Sequence, residues 1–260
     1  MKNKLFFLQL EDSTVNLLDN IKTENFCDLI PDSWVKIISS EEKKERCHAT
    51  IRLWKKYLGR NLPNVIKRFE NELDNVELLE RCDNKMRRYS LLYSMIDESG
   101  RCIYYEGRNP VDNIAVRSQL SYWSNMSQQI RDFYEHIHDG FYHYINRGIG
   151  LQPMKFTHFM EPEDEVVKWN IKFGGVTKYG DGDEDEIEAQ EWNLNVGDSG
   201  ELWEENSHQM AFFWNSLGLA VSIDDSKDSE KNAIIWKSTA PPTFHNDFWR
   251  TVDQLLFENY

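Results

Sequence analysis

Three histidines and two acids crowd one short stretch, Glu135-His136-Ile137-His138-Asp139-Gly140-Phe141-Tyr142-His143. Imidazole and carboxylate groups at this density suit zinc or iron. A metal held by His136, His138 and Asp139 would support a hydrolase. On a helix, however, positions i and i+2 point roughly 200° apart and cannot share an ion; only an extended backbone puts His136 and His138 on one face. The flanking residues Ile130, Phe133, Tyr134 and Ile137 recur at helical spacing. The expected setting is therefore a helix end, where a cationic imidazole is favoured by the C-terminal dipole. Asp139-Gly140 is expected to end the helix, with Gly140 as a left-handed cap.

A second candidate is the acid-rich run Asp181-Gly182-Asp183-Glu184-Asp185-Glu186-Ile187-Glu188-Ala189-Gln190-Glu191-Trp192. It begins like a calcium loop, with acids at the first, third and fifth positions. Glu186 then stands where the turn requires glycine, and Trp192 where a bidentate glutamate should close the site. Two readings remain. One is a solvated hairpin tip. The other is a docking surface for a basic partner, built from Asp181, Asp183, Glu184, Asp185, Glu186 and Glu188 with Tyr179 and Trp192 as aromatic anchors. Nucleophilic chemistry has little footing. There is no G-x-S-x-G elbow, and Gly148-Ile149-Gly150 lacks the third glycine of a phosphate-binding turn. Cys27, Cys47, Cys82 and Cys102 form no C-x-x-C pair and read as reduced thiols of a cytosolic protein. No catalytic residue, metal or cofactor is assigned, and the expected class is a non-enzymatic binding protein.

The elements that must position these groups follow from periodicity. Ile51, Trp54, Tyr57 and Leu58 mark a helix that Gly59 can stop, and Pro63 suits the first turn of another. Leu62, Ile66, Phe69, Leu73, Val76 and Leu79 read as one apolar stripe of about five helical turns. Two apolar runs then flank Asp97-Glu98-Ser99-Gly100, a hairpin turn, and Asn109-Pro110 is a breaker and a plausible boundary. Alternation predicts strands over Val167–Phe173, Trp192–Val196, Leu217–Ile223 and Ala233–Trp236. Pro241-Pro242 is expected to break the last, with Asn246 capping a closing helix over Phe248, Val252, Leu255 and Leu256. Trp203, Trp214, Trp236 and Trp249 read as core residues. Helix, then strands, then helix is an α+β order with a mainly antiparallel sheet.

Bulk properties narrow the partners. The formal net charge is −14, which repels phosphate backbones and anionic membrane surfaces and attracts basic partners. Residues 1–120 hold 20 Lys and Arg against 19 Asp and Glu, whereas residues 121–260 hold 10 against 25. The whole imbalance thus belongs to the second part, at −15. The apolar start Leu5-Phe6-Phe7-Leu8 is too short and too soon followed by acids for a signal peptide, and a β-strand is expected there. No stretch approaches the ~20 apolar residues of a membrane span. The expected location is the cytoplasm.

Two stretches carry a family likeness. Phe133-Tyr134-Glu135-His136-Ile137-His138-Asp139-Gly140-Phe141-Tyr142, with Gly148-Ile149-Gly150-Leu151-Gln152-Pro153-Met154, resembles the opening helix and glycine-leucine-proline turn of the SUKH superfamily. Leu219–Asp224, Ile235-Trp236 and Asn246–Asp253 are similar to its last strands and closing helix. The resemblance implies an α+β domain with a curved sheet flanked by helices over residues 116–260, preceded by a helix-rich α+β region over 1–115. It also implies a bacterial immunity protein that binds and neutralises a cognate toxin, often a nuclease. A regulatory scaffold is the alternative role, and the histidine-based hydrolase a third.

Overall fold

Between Pro31 and Glu72 apolar residues recur at intervals of three and four, and the chain winds into α1 (Asp32–Ile38), α2 (Lys43–Leu58) and α3 (Pro63–Glu72). α2 turns Cys47, Ile51, Trp54 and Leu58 inward and is capped by Gly59, while Pro63 opens α3. The computed structural model describes residues 14–18, 26, 28–83, 86–119, 123–145, 149–156, 158–159, 209–215, 219–224, 233–237, 240–245 and 247–257. The chain divides into two compact units, the first made of residues 1–124, 128–156 and 253–260 and the second of 125–127 and 157–252.

The long apolar stripe is not one helix. α3 ends at Glu72, because Leu73 turns to extended backbone (φ −72°, ψ 108°). Residues Leu73–Asp83 form strand β2. Arg46 of α2 fixes the switch: its Nε donates to the Val76 carbonyl (2.8 Å) and its Nη2 to Asn75 Oδ1 (2.7 Å). Val76 and Leu79 fit a helical stripe and a two-sided strand equally well, and pairing on both edges of β2 decides for the strand. β2 lies between β1 (Thr14–Leu18) and β3 (Met86–Ile96).

β3 hairpins into β4 (Cys102–Arg108) at the expected turn. Asp97 Oδ1 accepts from the Ser99 and Arg101 amides, both at 2.9 Å, and Gly100 takes φ +81°. These bonds hold the Asp97 carboxyl well below the usual carboxylate range, the Ser99 hydroxyl contributing most. The strands β5 (Phe141–His143) and β6 (Gly150–Leu151) complete an antiparallel order β1-β2-β3-β4-β5-β6 in the first unit. Residues 128–156, assigned by sequence to the second domain, therefore belong with the first, because β5 pairs with β4. Asn109-Pro110 is no linker either. Asn109 is fully buried; its Oδ1 accepts from the Val111 amide (3.1 Å) and its Nδ2 donates to the Leu29 carbonyl (2.6 Å).

The sheet has two unlike faces. Its helix-side face carries Val76, Leu78, Leu91, Tyr93, Tyr105 and Phe141, packed with Trp54 and Phe69. Trp34 and Trp54 are 0% exposed, and full burial of such a side chain contributes about 1.5–3 kcal/mol. Phe257 joins through Phe69 and Tyr105. Asp253 accepts from the Asn64 and Val65 amides at 3.1 and 2.9 Å, placing a carboxylate on the positive end of α3. The opposite face holds a small cluster of Val15, Leu79, Leu92 and Tyr144.

In the second unit β7 (His158–Phe159), β8 (Gln209–Asn215), β9 (Leu219–Asp224), β10 (Ala233–Lys237) and β11 (Ala240–His245) run antiparallel in that order. Pro241-Pro242 does not stop the chain from entering β11. Among the described residues that strand ends the order, where an absent N–H needs no partner. Helix Phe248–Leu255 follows, with Phe248 against Phe212 (6.1 Å between ring centroids). Its cap is Asp247, whose Oδ1 accepts from the Arg250 amide at 3.0 Å, rather than Asn246. Trp249 is buried, as expected, and Trp214 and Trp236 lie in β8 and β10. The fold is mixed α+β, with an antiparallel sheet flanked by helices. The expected strands near Met1–Asp12, Val167–Phe173 and Trp192–Val196, and Trp203, lie outside the described residues.

Candidate functional site

The histidine segment forms as a short helical turn, Gln128–Asp132, continued by a π turn, Phe133–Ile137. It ends where expected, with Gly140 at φ +87°. His136 and His138 then part. His136 is exposed and stacks on Tyr57 (4.9 Å), while His138 is 0% exposed. The metal constellation of His136, His138 and Asp139 is not assembled, and no cluster of three His, Cys, Asp or Glu able to hold an ion occurs among the described residues.

Nor is His138 a cation at a helix end. Trp54 Nε1 donates to the Tyr93 hydroxyl (3.1 Å), which lies 2.7 Å from His138 Nε2. The Tyr93 hydroxyl thus bridges the two rings, accepting from the indole and sharing a hydrogen bond with the imidazole Nε2. Burial lowers the His138 pKa from 6.5 to about 3, with the Arg108 backbone acting in the opposite direction, and the buried Nδ1 completes no hydrogen bond among the described residues. The ring lies over Gly107 of β4, where an added Cβ would meet it at 2.3 Å. His138 is thus a neutral wedge among aromatic rings. His143 is half-buried, and burial lowers its pKa too.

Asp139 is a clip. Its Oδ1 accepts from Asn113 Nδ2 (2.7 Å) and from the Met154 amide (2.8 Å), and its own amide donates to the Arg108 carbonyl (2.9 Å). The Tyr134 hydroxyl donates to the Gln152 carbonyl (2.7 Å). These bonds fix the 149–156 turn against the end of the helix.

On the sheet face away from the helices lies a cleft of about 260 Å³, lined by Arg81, Arg88, Ser90, Glu106, Arg108, Asp112, Tyr142 and Lys155 among others. Strand register assembles it. Arg81 lies opposite Arg88, Ser90 opposite Arg108, and Glu106 opposite Tyr142, so all six share one face. Glu106, 4% exposed, holds Arg81 at 3.3 Å. The guanidinium groups of Arg88 and Arg108 make no hydrogen bond or ion pair among the described residues. Asp112 is partly desolvated, which raises its pKa against the pull of Arg108 and Arg88, with Asp139 raising it further. A second depression, lined by Arg87, Asn113 and Asp139, shares Arg88, Arg108, Asp112 and Lys155 with the first.

None of these cations was singled out by sequence. Arg87-Arg88 and Arg88-x-Ser90 were visible signals, but their convergence depends on cross-strand register. The expected docking residues Tyr179, Asp181, Asp183, Glu184, Asp185, Glu186, Glu188 and Trp192 lie outside the described residues. No family model, curated protein or solved structure matches the chain. No helix among the described residues is long and apolar enough to cross a membrane.

Proposed function

We propose that this chain is a cytoplasmic immunity protein that neutralises a cognate protein toxin by direct binding, with residues 121–260 supplying the contact. The observation that carries the reading is the charge partition. The net −15 of residues 121–260, beside +1 in residues 1–120, is what a partner with a basic substrate-binding surface would select. A nuclease toxin needs such a surface for its substrate. Of the segments bearing the SUKH likeness, the later ones support it, since Leu219–Asp224 is a strand, Ala233–Lys237 another, and Phe248–Leu255 a closing helix, whereas residues 133–154 belong to the first unit. The divergence of His136 and His138 weighs against the hydrolase alternative built on that pair.

The test is co-purification with the product of the gene immediately upstream, followed by size-exclusion chromatography at low and high salt. A stable complex at low salt that weakens at high salt is expected. Separate peaks in both conditions would overturn the proposal and leave the scaffold role to be pursued.

A further inference from the structure

We propose that the cationic cleft of the first unit binds the phosphate group of a small phosphorylated ligand, with Arg88 and Arg108 as its direct partners. The cleft places three guanidinium groups on one face of β2, β3 and β4, Arg81 directly opposite Arg88 and Arg108 one pair further along. Like charges so placed are destabilising unless something lies between them. Among the described residues one of the three is held in an ion pair, Arg81 with the buried Glu106, while Asp112 draws on Arg88 and Arg108 without bonding to either. Glu106 and Arg81 thereby form a fixed wall, and the two remaining guanidinium groups are left to a ligand.

The lining favours an anion. Arg88 and Arg108 stand beside the Arg81–Glu106 pair with Asp112 as the nearest acid, and a phosphomonoester carries about −1.5 to −2 at neutral pH. Two planar guanidinium groups match the oxygen spacing of phosphate, and the Ser90 hydroxyl adds a neutral donor in the same wall. A lone carboxylate offers two oxygens where phosphate offers three or four to the guanidinium pair. A nucleic-acid strand is opposed by the −14 of the whole chain and by the small size of a cleft of about 260 Å³. The site stands apart from the toxin-binding reading and does not depend on it.

The full chain is titrated calorimetrically at low salt with inorganic phosphate, a nucleoside monophosphate, a sugar phosphate and succinate. Saturable one-to-one binding of a phosphate-bearing probe is expected, with the preferred one identifying the ligand's remainder. Arg88→Gln and Arg108→Gln should each weaken it roughly tenfold or more, and Lys67→Gln, on α3, should leave it unchanged. Without probe, both arginine variants should melt no earlier than the parent, because each removes a like charge. If either fails to fold, Lys155→Gln supplies the second variant. No saturation with any phosphate probe, undiminished binding in the arginine variants, or equal binding of succinate would each overturn the assignment.

Discussion

A histidine sealed among Trp34, Trp54, Phe133 and Phe141 behaves differently from one at a helix end. The unfolded imidazole takes a proton near pH 6.5, and the folded one only near about 3. Between those values the unfolded state binds more protons, so the stability contributed by the neutral ring is complete above about 6.5 and drains as pH falls. This single group should give the stability curve a slope of about 1.4 kcal/mol per pH unit within that window. Urea unfolding at stepped pH measures it. His138→Gln keeps an acceptor for the Tyr93 hydroxyl and has nothing to protonate, so its slope between pH 6 and 4 should be shallower by that amount. Equal slopes in parent and variant would mean the ring is not sealed. The segment's end at Asp139-Gly140 was legible in the sequence because it is local. The burial of His138 was not, since its Trp54 and Tyr93 partners come from distant elements.

At the scale of elements, local chemistry and long-range pairing separate cleanly. The 97–100 turn was legible because Asp97 and Gly100 do their work within four residues. The end of α3 was not, because Val76 and Leu79 obey both periods and only β1 and β3 on either side make β2 a strand. Pro241-Pro242 misled for the same reason, since position in the strand order decides whether a missing N–H matters. Two glycines turn this contrast into an expectation. Gly100 and Gly140 both have positive φ, but a Cβ at Gly100 meets nothing within 4 Å, whereas at Gly140 it lies 2.6 Å from the Pro153 nitrogen. Gly100→Ala should therefore cost only the left-handed strain, about 1–2 kcal/mol. Gly140→Ala adds a backbone collision inside the Asp139 clip and should cost about 3 kcal/mol or more. Denaturant midpoints compare the two directly. Equal losses would show that the 149–156 turn yields freely.

For the whole molecule the governing fact is that charge is partitioned along the chain, acid in residues 121–260 and near balance before them. That partition was fully legible, because charge is a property of composition. The cationic cleft was invisible to the same counting, because near-neutral sums conceal where strands bring cations together. An acidic surface facing a basic toxin acts mainly on encounter: complementary fields raise association rates to about 10⁸–10⁹ M⁻¹s⁻¹ at low salt, against about 10⁵–10⁶ without them. Replacing Asp181, Asp183, Asp185 and Glu188 by Lys shifts the chain by eight charges, from −14 to −6. If this run is the docking surface, the variant's association rate, followed by stopped flow at about 0.01 M salt, should fall by roughly tenfold or more. The difference should vanish near about 1 M salt, where the Debye length shrinks from about 30 Å to about 3 Å. Dissociation should change less, since rim charges act chiefly on the approach. An unchanged association rate at low salt would move the contact to another face, while a loss that persists at high salt would mean that these residues, with Tyr179 and Trp192 beside them, act by direct packing rather than by steering.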